Sequence, residues 1–204
     1  MQIESPNAPL RHPRAELPSH RPGDPYFRAL FWRLLGQWIF RFSFHNWYAL
    51  RCIILRLCGA RLHPSVKIRA SARIDRPWNL TMGKLSAVGD KATLNCRSRI
   101  NVGDFCTISQ HSKVYTQADD PLDPDSRLYT APVNILKDAW VAADVMIMPG
   151  VTIGEGVVVG ARGMVDRNLP PWTICTGQPS EPRRERPMLR RPEDDNTPRW
   201  KGAL

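Results

Sequence analysis

The sequence predicts an all-β fold, a triangular parallel β-helix over residues 60–186, with a helical segment before it and an irregular tail after it. Three observations predict this. Aliphatic residues recur at a strict interval of six, at Ile135, Val141, Ile147, Ile153, Val159 and Val165. A small or aliphatic companion stands four positions after each one: Ala139, Val145, Val151, Val157, Gly163 and Leu169. Glycine follows several leading residues, at Gly83, Gly89, Gly103, Gly154 and Gly160. An amphipathic strand alternates with period two and a helix repeats at about 3.6. The density of valine, glycine and proline also argues against helix. Six residues fit one side of a triangular coil, a short strand plus a corner turn. The lead side chain points inward, three units close a coil, and stacked coils bury a continuous core.

An earlier run has the same grammar: Met82, Val88, Leu94, then a slip of two residues before Val102, Ile108 and Val114. The slip, around residues 96–100, implies a bulge or a corner insertion. Val66 and Ile74 are candidates for a first, imperfect coil. Residues 118–133 break the period and read as a loop thrown out from one corner, a place that often carries function.

Residues 25–59 have another character, aromatic and leucine-rich, and they carry Arg28, Arg33, Arg41, Arg51 and Arg56. They read as an amphipathic helical segment in two pieces, broken near residues 43–46, with Gly59 as the C-terminal cap. The uncharged runs between arginines fall short of the roughly 20 residues of a membrane span. Two readings stay open: a helix lying on an anionic membrane surface, or packing against the β-helix or a neighbouring subunit. Residues 1–24 read as a flexible arm and residues 187–204 as a disordered tail.

The formal net charge of +10 over 204 residues points to an anionic partner, without choosing which. Five cysteines, an odd number with no C-x-x-C pair, suggest neither a disulfide framework nor a zinc site. A reducing cytoplasm is the simpler compartment. The chain start lacks the apolar stretch of a secretory signal.

Three groups of residues are candidates for chemistry. The alanines of Ala142-Ala143 leave backbone exposed, so a ligand chain can lie alongside; simple small-residue packing accounts for them equally well. Gly160-Ala161 comes three units later, and Arg183, Arg184 and Arg186 follow. Such arginines pair with phosphates, or form a solvated basic tail. Finally, His111, Asp119 and Asp120 stand in the neighbourhood of Asn95. Acyl transfer to a hydroxyl needs a general base and donors for the oxyanion, and histidine is the usual base; His111 also reads as an ordinary surface residue.

The stretch from Leu57 to Arg186 resembles the hexapeptide acyltransferases, a left-handed β-helix superfamily. Within it the resemblance is to the colanic-acid-type and maltose/nodulation-type O-acetyltransferases. It is carried by Pro77-Trp78-Asn79-Leu80, Ile108-Ser109-Gln110, Ala139-Trp140-Val141-Ala142-Ala143, Pro149-Gly150-Val151-Thr152-Ile153-Gly154, Val159-Gly160-Ala161-Arg162, Leu169-Pro170-Pro171-Trp172 and Gly177-Gln178-Pro179. It implies a homotrimer with acetyl-CoA as acyl donor in the cleft between adjacent β-helices, a carbohydrate acceptor, no metal and no nucleic acid. It implies cofactor contacts from Trp140, Ala142, Ala143, Gly160, Ala161, Arg183 and Arg184, and an acceptor contact from Asn95.

Two departures accompany it. These families carry a catalytic histidine in the loop, where this chain has Asp119 or Asp120, depending on the alignment. Glu181 stands where a lysine is usual, partly offset by Arg183 and Arg184. An unperturbed aspartate is a weak base at neutral pH. The base is then a desolvated carboxylate, or His111 reaching in from another coil or subunit; failing both, the chain is a binding or scaffold trimer without turnover. The expected function is acetyl-CoA-dependent O-acetylation of a sugar of a surface polysaccharide, an exopolysaccharide or its precursor. The expected location is the cytoplasm, with peripheral association at the inner membrane face.

Overall fold

A computed structural model describes residues 26–44, 46–119 and 128–187. The expected arm, and all but the first residue of the expected tail, lie outside these residues. The segment ahead of the solenoid is helical, as α1 (Tyr26–Phe31), a π-helical turn (Trp32–Gly36), α2 (Gln37–Arg41) and α3 (Tyr48–Leu57). Gly59 ends α3 at φ +97°, the left-handed conformation that glycine adopts without a Cβ clash.

The rest is a left-handed parallel β-helix of about five coils. Face A stacks β1 (Arg61–Leu62), β4 (Leu80–Met82), β7 (Ile100–Val102), β12 (Val133–Ile135) and β15 (Thr152–Ile153). Face B stacks β2 (Lys67–Ile68), β5 (Ala87–Val88), β8 (Thr107–Ile108), β13 (Trp140–Val141), β16 (Val158–Val159) and β18 (Thr173–Thr176), and β19 (Glu181–Glu185) returns antiparallel along its edge. Face C stacks β3 (Arg73–Ile74), β6 (Thr93–Asn95), β9 (Lys113–Tyr115), β14 (Met146–Ile147) and β17 (Met164–Val165). The hairpin β10 (Gln117–Asp119) and β11 (Leu128–Thr130) stands outside the three faces.

Every predicted lead residue lies in the core. Ile135, Val141, Ile147, Ile153, Val159 and Val165 are essentially inaccessible to solvent. Leu62, Ile68 and Ile74 lead the first coil, with Val66 as a buried companion. Each step from face A to face B, and from face B to face C, is six residues long. The period slips only between faces C and A: eight residues from Ile74 to Met82 and from Leu94 to Val102, twenty-one from Val114 to Ile135, six from Ile147 to Ile153, four from Val165 to Leu169. The expected slip is therefore a property of one corner, and the expected loop is its longest version. The corners are tight. The third residue after a lead takes positive φ at Leu85, Lys91, Phe105, His111, Asp138, Asp144 and Arg162. Glycine after a lead serves close stacking: a Cβ on Gly89 would stand 2.6 Å from the Gln110 backbone nitrogen in the next coil.

A solenoid has an unfinished end. In each coil the lead carbonyl accepts an N–H from the coil below, as Met82 does from His63 (3.0 Å), Val88 from Arg69 (3.1 Å) and Leu94 from Asp75 (3.4 Å). The first coil has no coil below it, and the helical segment supplies the donors instead. Arg56 Nε donates to the Leu62 carbonyl at 3.0 Å, Arg51 Nε to Ile68 at 2.7 Å and Trp32 Nε1 to Ile74 at 3.0 Å. Arg51 is fully buried and also donates to Ser43 Oγ and the Phe44 carbonyl. Burial lowers its pKa from the ordinary arginine value, and its guanidinium lies over the Tyr48 ring. A buried carbonyl left without a donor costs about 1–3 kcal/mol. Arg51→Met is therefore expected to lower stability by about 2–4 kcal/mol in urea unfolding. Arg51→Lys should fail to restore it, because an ammonium cannot reproduce the fork that reaches three acceptors. A change below about 0.5 kcal/mol in both variants, the range of ordinary surface substitutions, would remove Arg51 from the cap.

Candidate active site

The corner between faces B and C is lined by small residues in its upper coils. Ala142-Ala143 lie directly beneath Gly160-Ala161, because β13 pairs in register with β16. Gly160 is set by close approach, since a Cβ there would come within 2.7 Å of Thr176 Cγ2. The two alanines differ in their hydrogen bonding. Ala142 N–H donates to the Val159 carbonyl, and its own carbonyl accepts from Ser112 Oγ. The N–H groups of Ala143 and Ala161 take no partner among the described residues. They are one coil apart, about 4.8 Å, two donors in a row along a shallow edge.

Trp140 stands half-exposed on face B beside this edge, its Nε1 donating to Ser109 Oγ at 3.1 Å. Arg183 and Arg184 sit on β19 at the top of the same face, exposed, with Arg183 in a loose ion pair to Glu181 at 3.8 Å. Arg186 has a different task. Its Nη1 donates to the carbonyls of Asp138 and Gly156 on successive corners between faces A and B, and burial lowers its pKa from the ordinary value. It staples the strand to these two corners.

The corner between faces C and A carries the other candidates. Asn95 ends β6 and pairs in register with Tyr115 one coil above. Thr116 follows, fully buried, its Oγ1 accepting from Ser98 N–H at 2.8 Å and donating to the Asn95 carbonyl at 2.6 Å. The Ala131 N–H closes the loop base on the Thr116 carbonyl at 3.0 Å. From this base the hairpin projects, with Asp119 exposed at the end of β10. Asp120 lies outside the described residues. Asn95 Oδ1 is buried and takes no hydrogen bond among the described residues, and such an unsatisfied group calls for an explanation, function among them. Asn95 also lines a cavity of about 380 Å³ under α2, with Trp32, Phe40, Arg41 and Arg73. That grouping has no linear signal, because its walls come from segments far apart in sequence.

The structure divides the sequence candidates between two edges. Trp140, Ala142, Ala143, Gly160 and Ala161 gather on face B and the B/C corner, with Arg183 and Arg184 above them. Asn95 and the Asp119 hairpin share the C/A corner. His111 falls with the first group. It is the positive-φ residue of its own B/C turn, exposed, its N–H donating to the Asp90 carbonyl at 2.9 Å. The width of face C separates it from the loop base, five residues or roughly 16 Å of strand. Among the described residues no group of three His, Cys, Asp or Glu side chains is placed to hold a metal, and all five cysteines are free and buried.

Residues 132–166 match the family model described as bacterial transferase hexapeptide (six repeats). Over 164 residues the chain is 37% identical to the putative colanic acid biosynthesis acetyltransferase WcaF of Escherichia coli K12, covering 80% of this chain and 90% of that protein. The chain belongs to the hexapeptide-repeat acetyltransferases. It is thereby an acyltransferase. Its fold is that of a maltose O-acetyltransferase from Clostridium difficile 630, at TM-score 0.69 and 24% identity, with 80% of this chain and 86% of that one covered. It is also that of a hexapeptide-repeat acetyltransferase of Vibrio cholerae solved with acetyl coenzyme A, at TM-score 0.68 and 23% identity, covering 78% and 85%.

In this acetyltransferase the Thr116 hydroxyl ties the loop base to the Asn95 strand. Thr116→Val keeps the shape and removes both hydrogen bonds. It should cost about 1–3 kcal/mol in urea unfolding and speed amide exchange in the β10–β11 hairpin. Unchanged stability and exchange would show that the hydroxyl does not pin the loop.

Proposed function

We propose that the protein moves the acetyl group of acetyl-CoA onto a hydroxyl of a sugar belonging to a surface polysaccharide, an exopolysaccharide or its precursor. The observation that carries this reading is the row of free N–H groups at Ala143 and Ala161, on an edge of small residues topped by Arg183 and Arg184. An extended amide-bearing chain ending in phosphates fits such an edge: its carbonyls meet the N–H row and its phosphates meet the guanidinium groups. Acetyl-CoA has that chemistry. The Vibrio cholerae neighbour was solved with it, and the Escherichia coli relative is named for colanic acid biosynthesis.

The reaction forms a C–O bond between the acceptor hydroxyl and the thioester carbon and breaks the C–S bond. The hydroxyl proton passes to a base and the sulfur leaves as thiolate. The cofactor edge and the Asn95 corner lie on different edges of one triangle, so a complete site needs the C/A corner of one copy against the B/C corner of another. This favours the homotrimer implied by the family. Asn95 then holds the acceptor, and Asp119, Asp120 or His111 takes the proton. A carboxylate becomes a useful base at neutral pH when a neighbouring copy desolvates it. The cytoplasm, a reducing compartment, suits the five free cysteines. A second reading, a trimer that binds without turnover, is favoured by one specific observation: the loop carries aspartates where the resembled families carry histidine.

Purified protein with acetyl-CoA, a thiol-reactive dye and a panel of sugars separates the two. Release of CoA that depends on one class of sugar is the expected result. Acetyl-CoA binding without release for any sugar would leave the binding trimer. Among Asp119→Asn, Asp120→Asn and His111→Ala, loss of the base should lower kcat about 10²–10⁴-fold, and full activity in all three would refute these assignments. Arg183→Ser with Arg184→Ser should raise KM for acetyl-CoA with kcat little changed, the signature of lost uniform binding.

A further inference from the structure

The helical segment completes the solenoid with one side only. Trp32, Gly36 and Phe40 of the first helical run are buried, as are Arg51, Cys52, Ile54 and Leu55 of α3. The opposite side is apolar as well. Of the seventeen exposed large apolar side chains among the described residues, thirteen fall between Tyr26 and Leu57. Seven of them are each at least 60% exposed, among them Tyr26, Phe27, Leu34, Trp38 and Phe42. Phe27, Phe31, Leu34, Trp38 and Phe42 follow one another at intervals of three or four, a single stripe along the first run. Trp38 and Phe42 stack on each other at 5.7 Å in the open rather than on the β-helix. Monomeric proteins rarely expose apolar patches on this scale without a use for them.

Charge distinguishes the occupants. Tyr26 to Leu57 contains five arginines and no aspartate or glutamate. Arg51 and Arg56 are spent on the cap, whereas Arg33 and Arg41 are exposed and form no ion pair among the described residues. A second copy docked face to face would set these cations against each other with no carboxylate from the segment to meet them, and burying unpaired cations is costly. A lipid interface has no such conflict. Its acyl boundary takes the leucines and phenylalanines, tryptophan sits at headgroup depth, and arginine reaches out to phosphates. No helix among the described residues is long and apolar enough to cross a membrane, so the segment would lie in the interface plane.

We propose that the outward face of residues 26–57 docks the acetyltransferase on the surface of an anionic bilayer. The docking surface is the cap end of the solenoid. The Ala143–Ala161 edge belongs to the upper coils and stays in water. The Asn95 corner, in the second coil, stands roughly 5 Å along the axis from the first, close to anything held in the lipid plane.

Sedimentation of the full chain with vesicles tests this without reference to activity. The protein should pellet with phosphatidylcholine vesicles containing phosphatidylglycerol and much less with phosphatidylcholine alone. High salt should weaken the binding, since the arginine contribution is screened. Arg33→Gln with Arg41→Gln should lower partitioning to anionic vesicles about 25-fold, roughly fivefold per charge. Trp38→Gln with Phe42→Ser should lower it on both vesicle types, with the urea midpoint unchanged because neither side chain is in the core. No pelleting with anionic vesicles would overturn the proposal, as would equal pelleting with neutral vesicles at all salt concentrations. So would a Trp38→Gln/Phe42→Ser protein that changes its oligomeric state in light scattering and leaves vesicle binding intact, since the face would then be a contact between copies.

Discussion

The structure depends on how the first coil finds partners for its backbone. A β-helix pairs each coil with the next and so leaves a row of unmet hydrogen-bonding groups wherever it starts. Here the lead carbonyls of the first coil, Leu62, Ile68 and Ile74, each receive a side-chain N–H from the helical segment. Two of the donors are arginines and one is a tryptophan, so each brings a long apolar or planar body as well as its polar tip. The same residues therefore cover the open end of the core and satisfy its edge. That use of Arg51 and Arg56 leaves Arg33 and Arg41 without an ion pair among the described residues, and the cap's inner chemistry shapes what its outer surface presents.

The solenoid separates stability from chemistry by position within the repeat. Lead residues fill the interior and are interchangeable aliphatics. The residues just after them line the corners and are free to differ, as Ser109, Ala142 and Gly160 do along one edge. Small residues there leave the N–H groups of the next positions, Ala143 and Ala161, open without altering the core a few ångströms away. The corner between faces C and A uses the opposite device, a hairpin tied down by the buried Thr116. Two kinds of surface, one bare and one elaborated, thus stand on one scaffold at different edges.

Much of this was legible in the sequence, for physical reasons. The six-residue period shows because every lead must face inward, so Ile135 through Val165 admit no substitute character. Counting residues against the coil likewise sets His111 eight residues, more than one side of the triangle, from Asp119. What escaped was whatever depends on partners distant in sequence. Arg51 looks like its neighbours until its acceptor, seventeen residues on, is known. Arg186 reads as one of a basic cluster, yet it clasps two carbonyls thirty and forty-eight residues back. Ala142 and Ala143 read alike, although only the second keeps a free N–H. Arg41, from the helical segment, borders the Asn95 cavity, and no pattern in the chain connects the two.

The corner between faces C and A accepts four, six, eight or twenty-one residues between leads, while the other two corners hold their spacing in every coil. A change of length there leaves the neighbouring coils in register, since the inserted chain leaves and rejoins the ladder at the same two rungs. The fold has in effect one modular port, the place where a loop can be exchanged while the other two corners and the interior remain as they are.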